Sequence, residues 1–224
     1  MSRDRRAEGR DTAPLCAASD MSGIEAAVAA LKESPRGYTA VTVSERAESG
    51  RTRVYNVPSE LCAVAELRVG APVSEETAEL LASGDECISA YRRAVRMLSF
   101  SDRSAVELRT RLRAAYGFSA KAADFAVSRL LSEGLLDEER QIKGAVRHCA
   151  NEKLWGRDRI IPALVSRGYR RALVVSAIRE AEESGDIDFS ANFDRLLRQK
   201  HPETGEERRR LRFKYGYAPS DENI

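Results

Sequence analysis

Histidine is nearly missing from this sequence: His148 and His201 are the only two in 224 residues. So little imidazole leaves almost no material for a histidine-based triad or a metal cage. The adjacent pair His148-Cys149 does not change this, because neighbours on a helix point to different faces. The four cysteines, Cys16, Cys62, Cys87 and Cys149, lie far apart and form no C-x-x-C pair. That spacing suits neither a zinc site nor a small disulfide framework, and it points to a reducing cytosol. No apolar run approaches membrane-spanning length, and the start, MSRDRRAEGRD, lacks the apolar core of a signal peptide. A soluble cytoplasmic protein without membrane contact is expected. Phosphate-cradling glycine loops of the G-x-G-x-x-G or G-x-x-x-x-G-K-[ST] kind are absent. The acidic clusters DEE (137–139) and EAEE (180–183) fall at a helix start and a helix end and form no acid–base pair. These absences leave no active site, cofactor or metal to expect, and the reading is not an enzyme.

What the chain has is charge, and it is unevenly placed. Residues 85–224 hold 27 basic and 22 acidic side chains, whereas residues 1–84 are mildly acidic. Most of those cations are arginine, whose planar fork suits carboxylate and phosphate recognition and also suits exposed helix faces.

Periodicity divides the sequence. Residues 1–37 read as a tail with at most one short helix, SGIEAAVAALKES (22–34), before the Pro35–Gly37 break. In residues 38–84, YTAVTVSERAESGRTRVYNV (38–57) alternates like a β-hairpin with turn chemistry at Ser49-Gly50, and short helices follow, joined at VGAPVS. From residue 85 the pattern is helical. Ile88, Tyr91, Val95 and Leu98 form one stripe; Ser104-x-x-Glu107 is a capping box; Gly117 ends the helix it opens. Ser119 caps the next helix, with Ala122, Phe125, Ala126 and Leu130 inward and Gly134 as its stop. The unit then recurs as LRAAYGF (112–118), LVSRGY (164–169) and LRFKYGY (211–217). The expected fold is mainly α, with tandem three-helix repeats over 85–136, 137–184 and a truncated 185–224, in an elongated array behind a small β-hairpin region. In each copy an aromatic follows the glycine, so Phe118, Tyr169 and Tyr217 are expected to pack back on the helix just ended.

The order of these pieces resembles the RecX family of recombination regulators. The resemblance rests on RSAVELRTRL (103–112), YGFS (116–119), SRLLSEGLLDEER (128–140), LWGRDRIIPALVSRGY (154–169) and KYGYAPSDENI (214–224), with the hairpin at 38–57 in the place of the family's first strands. The chain departs from the pattern at Leu135 and Gln141, where aromatics are usual, and at Pro162, which requires its helix to begin close to Arg159. The resemblance implies a regulator that binds the RecA recombinase filament on single-stranded DNA. Such a regulator restrains the filament's ATP hydrolysis, growth and strand exchange in recombination, DNA repair and the SOS response. A monomer is expected, and the resemblance implies that the partner, not the chain itself, holds the ATP. The alternative is a helix-turn-helix protein that contacts single-stranded or double-stranded DNA directly.

Candidate contact residues come from charge and position. They are Arg109 and Arg113 on the first repeated helix, Arg167, Arg170 and Arg171 around the second glycine, and Arg208, Arg209, Arg210, Arg212 and Lys214 before the third. Repeated at equivalent joints, they would make a discontinuous basic stripe facing phosphates or an acidic protein groove.

Overall fold

A computed structural model of the chain describes residues 26–45 and 51–218. They divide into two compact units that meet at Asp85 and Glu86.

The first unit is a three-stranded antiparallel sheet in the order β1 (Ala26–Ser34), β2 (Tyr38–Glu45), β3 (Thr52–Pro58), followed by the short helix α1 (Ser59–Val64). The hairpin expected over 38–57 is β2 and β3, in register from Tyr38 opposite Pro58 to Ser44 opposite Thr52. Its turn at Ser49-Gly50 lies outside the described residues. The alanine-rich helix expected at 22–34 is corrected: within it, residues 26–34 are β1. Local propensity favours a helix there, but β1 pairs on both edges. One neighbour is β2; on the other side Val28 N–H donates to Ala71 at 3.0 Å and Val73 N–H donates to Ala26 at 2.8 Å. Val28, Val41, Val43, Tyr55 and Val57 then bury one face of the sheet against Leu81.

Leu81 belongs to α2 (Glu75–Phe100), a 26-residue helix that runs through the boundary at Asp85. In the second unit, α2 packs with α3 (Ala105–Ala114) and α4 (Ala120–Ser132) through Cys87, Ala90, Ala94, Met97, Leu108, Leu112, Ala126 and Leu130. The stripe expected on α2 is therefore partly wrong. Val95 is exposed, and Ala90 and Ala94 take the buried places because a bare methyl lets the helices approach closely.

A second core joins α5 (Glu138–Arg147), a π-helical turn (His148–Glu152), α6 (Arg157–Ser166) and α7 (Arg171–Glu183). The third is smaller: α8 (Phe189–Lys200) and α9 (Gly205–Tyr215) gather Phe193, Leu196, Tyr215 and Tyr217 around Leu154. Gly117, Gly168 and Gly216 stand just past α3, α6 and α9 with φ of 73°, 89° and 77°, the left-handed region that favours glycine.

Pro162 lies inside α6 and not in its first turn, since the helix begins at Arg157, two residues before the expected start. Backbone contacts from residues 215 and 216 fix that start from outside.

Candidate interaction surface

The second helices of the three groups meet end to end. Ser104 caps α3 by accepting from Glu107 N–H at 3.1 Å, and its hydroxyl donates to the carbonyl of Arg167 at 2.6 Å. The Arg167 guanidinium donates to the Asp102 carbonyl at 3.0 Å. Gly168 presses on this contact: a Cβ there would stand 2.6 Å from Ser104 Oγ and 2.9 Å from Val106 Cβ. The expected box at Ser104 is therefore half formed. Glu107 turns to Arg103 and Arg111 instead of reaching back.

The next contact repeats the arrangement mainly with backbone atoms. Gly156 N–H donates to the Tyr215 carbonyl at 2.7 Å, and Asp158 N–H donates to the Gly216 carbonyl at 3.0 Å. Arg159 donates to the Lys214 carbonyl at 2.7 Å, and its guanidinium lies over the rings of Trp155 and Tyr215. The carbonyl end of α9 thus satisfies the amides at the start of α6, and the carbonyl end of α6 sits on the start of α3. Each contact joins dipole ends of opposite sign. It also explains Pro162: α6 starts where these amides find partners, and the helix gives up one internal hydrogen bond further on.

The aromatics behind the glycines are anchored as expected, and two of them are also tied by their hydroxyls. Tyr169 is buried and donates to Gln141 Oε1 at 2.9 Å, so the polar residue at 141 is a buried partner for a phenol. Burial pushes the Tyr169 hydroxyl above its ordinary range. Tyr217 donates to the Leu154 carbonyl at 3.1 Å and packs on Phe193 with ring centroids 4.8 Å apart. Phe118 is half-buried against the first core.

Among the ten candidate cations the structure makes a division. Two serve the joints: Arg167 as described, and Arg212, whose guanidinium covers the Phe193 ring at 4.4 Å and donates to the Ala218 carbonyl at 3.1 Å. Two are ion-paired, Arg109 with Asp124 at 2.7 Å and Arg210 with Glu206 at 2.5 Å. Arg113, Arg170, Arg171, Arg208, Arg209 and Lys214 are exposed. Arg170 and Arg171 stand at the start of α7, where the helix dipole disfavours cations, and Arg170 makes no side-chain cap. At the equivalent position of α4, Ser119 caps by accepting from Ala122 N–H at 3.2 Å.

Phe213, inside the third cation group, escaped the sequence reading as a separate feature; it is 91% exposed. Arg157 and Arg159 were also missed, because their partners Glu182 and Lys214 lie 25 and 55 residues away. Among the described residues no cluster of His, Cys, Asp and Glu is arranged to hold a metal. Cys149 is buried, which pushes its thiol up and away from a reactive thiolate, while His148 is exposed. EAEE is used in pairing, with Glu180 to Lys143 at 2.8 Å and Glu182 to Arg157. No helix of the described residues is long and apolar enough to cross a membrane.

Successive helical groups joined through the ends of α3, α6 and α9 define a helical-repeat protein. Comparison with known proteins gives the family. Residues 90–130 match the family described as RecX, first three-helix domain. The chain is 32% identical over 116 residues to the regulatory protein RecX of Pseudomonas savastanoi pv. phaseolicola, covering 52% of this chain and 71% of that one. It is 29% identical over the same length to the RecX of Pseudomonas entomophila. A crystal structure of regulatory protein RecX superposes with a TM-score of 0.61 at 16% identity, covering 83% of this chain and 89% of the other. RecX from Lactobacillus salivarius superposes at 0.50 with 15% identity, over 61% of this chain and 90% of the other. The chain belongs to the RecX family of regulatory proteins.

Proposed function

We propose that this chain binds the RecA recombinase filament on single-stranded DNA and restrains its ATP hydrolysis, growth and strand exchange, so moderating recombination and DNA repair. In this reading it works as a cytoplasmic monomer, and units 85–136, 137–184 and 185–224 form an elongated array that lies along the filament. The observation that carries the reading is the set of exposed cations at successive joints: Arg113, then Arg170 and Arg171, then Arg208, Arg209 and Lys214. They stand at non-equivalent positions of the repeat but near each of Gly117, Gly168 and Gly216, so exposed positive charge accompanies every turn and suits an acidic partner. Arg170 adds to this, since an exposed arginine with no acceptor atom occupies the N-cap of α7, where a capping side chain would stabilise the helix.

The test is recombinase ATPase on single-stranded DNA, titrated with this protein. Wild type lowers the rate. A variant with Arg113, Arg170, Arg171 and Arg208 replaced by glutamine needs about tenfold more protein for the same inhibition, as loss of several rim charges predicts. Unchanged inhibition by that variant sinks the basic-joint reading. Absence of inhibition by wild type sinks the RecA reading itself.

A further inference from the structure

Phe213 is the most exposed large apolar side chain among the described residues. On α9 its neighbours one turn back are Arg209 and Arg210, and Lys214 follows it. Arg209 and Lys214 are exposed, and Arg210 leans toward Glu206 at 2.5 Å.

The ring is not core left uncovered by an unfinished repeat. Helix α9 aligns with α3 without a gap, Leu211 on Leu112 and Gly216 on Gly117, which places Phe213 on Ala114. In the first group α4 packs on α3 through Leu108 and Leu112, and Ala114 is exposed even so. A third helix laid on α9 would therefore cover Leu211 and leave Phe213 outside. A protein anchor sits in an apolar cluster with a polar rim. Here one ring stands alone among cations, and Leu211 and Tyr215 lie on the other side of the helix. An isolated π face bordered by guanidinium and ammonium groups matches a base with its flanking phosphates. It matches a single strand, because a duplex keeps its base faces stacked inside.

We propose that the outer face of α9 is a stacking site for single-stranded nucleic acid, with Phe213 under one base and Arg209 and Lys214 on the adjoining phosphates. This contact is with the strand itself and needs no recombinase.

The experiment is fluorescence anisotropy of a labelled oligo(dT) of about 20 nucleotides against a duplex of equal length, using the full chain at low salt. Wild type binds the single strand more tightly than the duplex. Phe213→Ala weakens single-strand binding at least about fivefold, and Phe213→Trp retains it. Arg209→Gln reduces the slope of log affinity against log salt by about 0.7. Phe100→Ala, which removes a ring 76% exposed at the end of α2, leaves binding within about twofold. Thermal unfolding stays the same in every variant, since these side chains are outside the core.

No measurable binding by wild type, a preference for duplex, or equal binding by wild type and Phe213→Ala each overturns the proposal. If Phe213→Ala keeps single-strand binding and loses recombinase inhibition, the ring is a protein anchor; the stacking site falls while the RecA reading stands. Loss of single-strand binding with inhibition intact leaves the stacking site in place as a separate function.

Discussion

Tyr217 donates its phenol to the carbonyl of Leu154, and burial raises its pKa to about 12. Tyr217→Phe keeps the ring and removes the hydrogen bond, so it should lower stability by about 1 kcal/mol at neutral pH. The pH dependence follows from the sign. The folded pKa lies above the ordinary value near 10, so folding favours the protonated phenol. That contribution is complete below pH 10 and is lost as pH rises toward 12. Thermal unfolding across this window should show wild type losing stability faster than Tyr217→Phe, and parallel curves would contradict it. The ring itself was legible in the sequence, because a glycine followed by an aromatic at each joint implies packing against the helix just ended. Phe213, four residues earlier in the same short stretch, was not. Composition gives both rings the same surroundings of arginine and tyrosine, and only the direction each takes from the helix separates them.

At the scale of elements, two glycines should respond in opposite directions. Gly156→Ala places a methyl 2.1 Å from the Gly216 carbonyl, so the joint between α6 and α9 must open, at a cost of about 1–3 kcal/mol. Gly144 lies within α5, where an added methyl would meet nothing within 4 Å, and Gly144→Ala should stabilise by about 0.4–1 kcal/mol. Denaturant unfolding of the two variants checks both signs. Helices α3 and α4 were legible because each carries its own serine cap, glycine stop and apolar period, and α7 because its sequence aligns with α4 after the repeated glycine. Strand β1 was not, because the partners that make it a strand are β2 and residues 70–73. The early start of α6 was hidden for a similar reason: it is set by carbonyls at residues 215 and 216. Local signals describe local elements, and these two are decided at a distance.

For the whole molecule, the family was readable in the order and spacing of short motifs, none of them specific alone. The proposed contact surface was readable only as a list of cations, since sequence does not say which arginines a fold consumes. Arg167 and Arg212 are consumed at joints; Arg170 and Arg171 are not. If exposed cations carry the partner contact, inhibition of the recombinase should weaken several-fold between low and physiological salt. The melting temperature should hardly move over that range, because most ion pairs here are exposed and contribute little to stability. Titrations at several ionic strengths, paired with melting curves, test this; salt-insensitive inhibition would point to an apolar contact instead.

The seating of α9 on α6 uses mainly backbone carbonyls, amides and two glycines, whereas that of α6 on α3 is made by the Ser104 hydroxyl and the Arg167 guanidinium on backbone carbonyls. Surface side chains can be exchanged around the α9–α6 contact without altering its interval, since backbone atoms set it, whereas the α6–α3 interval depends on Ser104 and Arg167. Under the proposed function such a series would work as a graduated rule, with the contacts between helix ends as its divisions and the arginines beside them as its markings. A partner built from identical subunits at a constant pitch can be met at several divisions only where the two intervals agree. Selectivity of that kind is for spacing, and mutation of surface residues can weaken it without redirecting it.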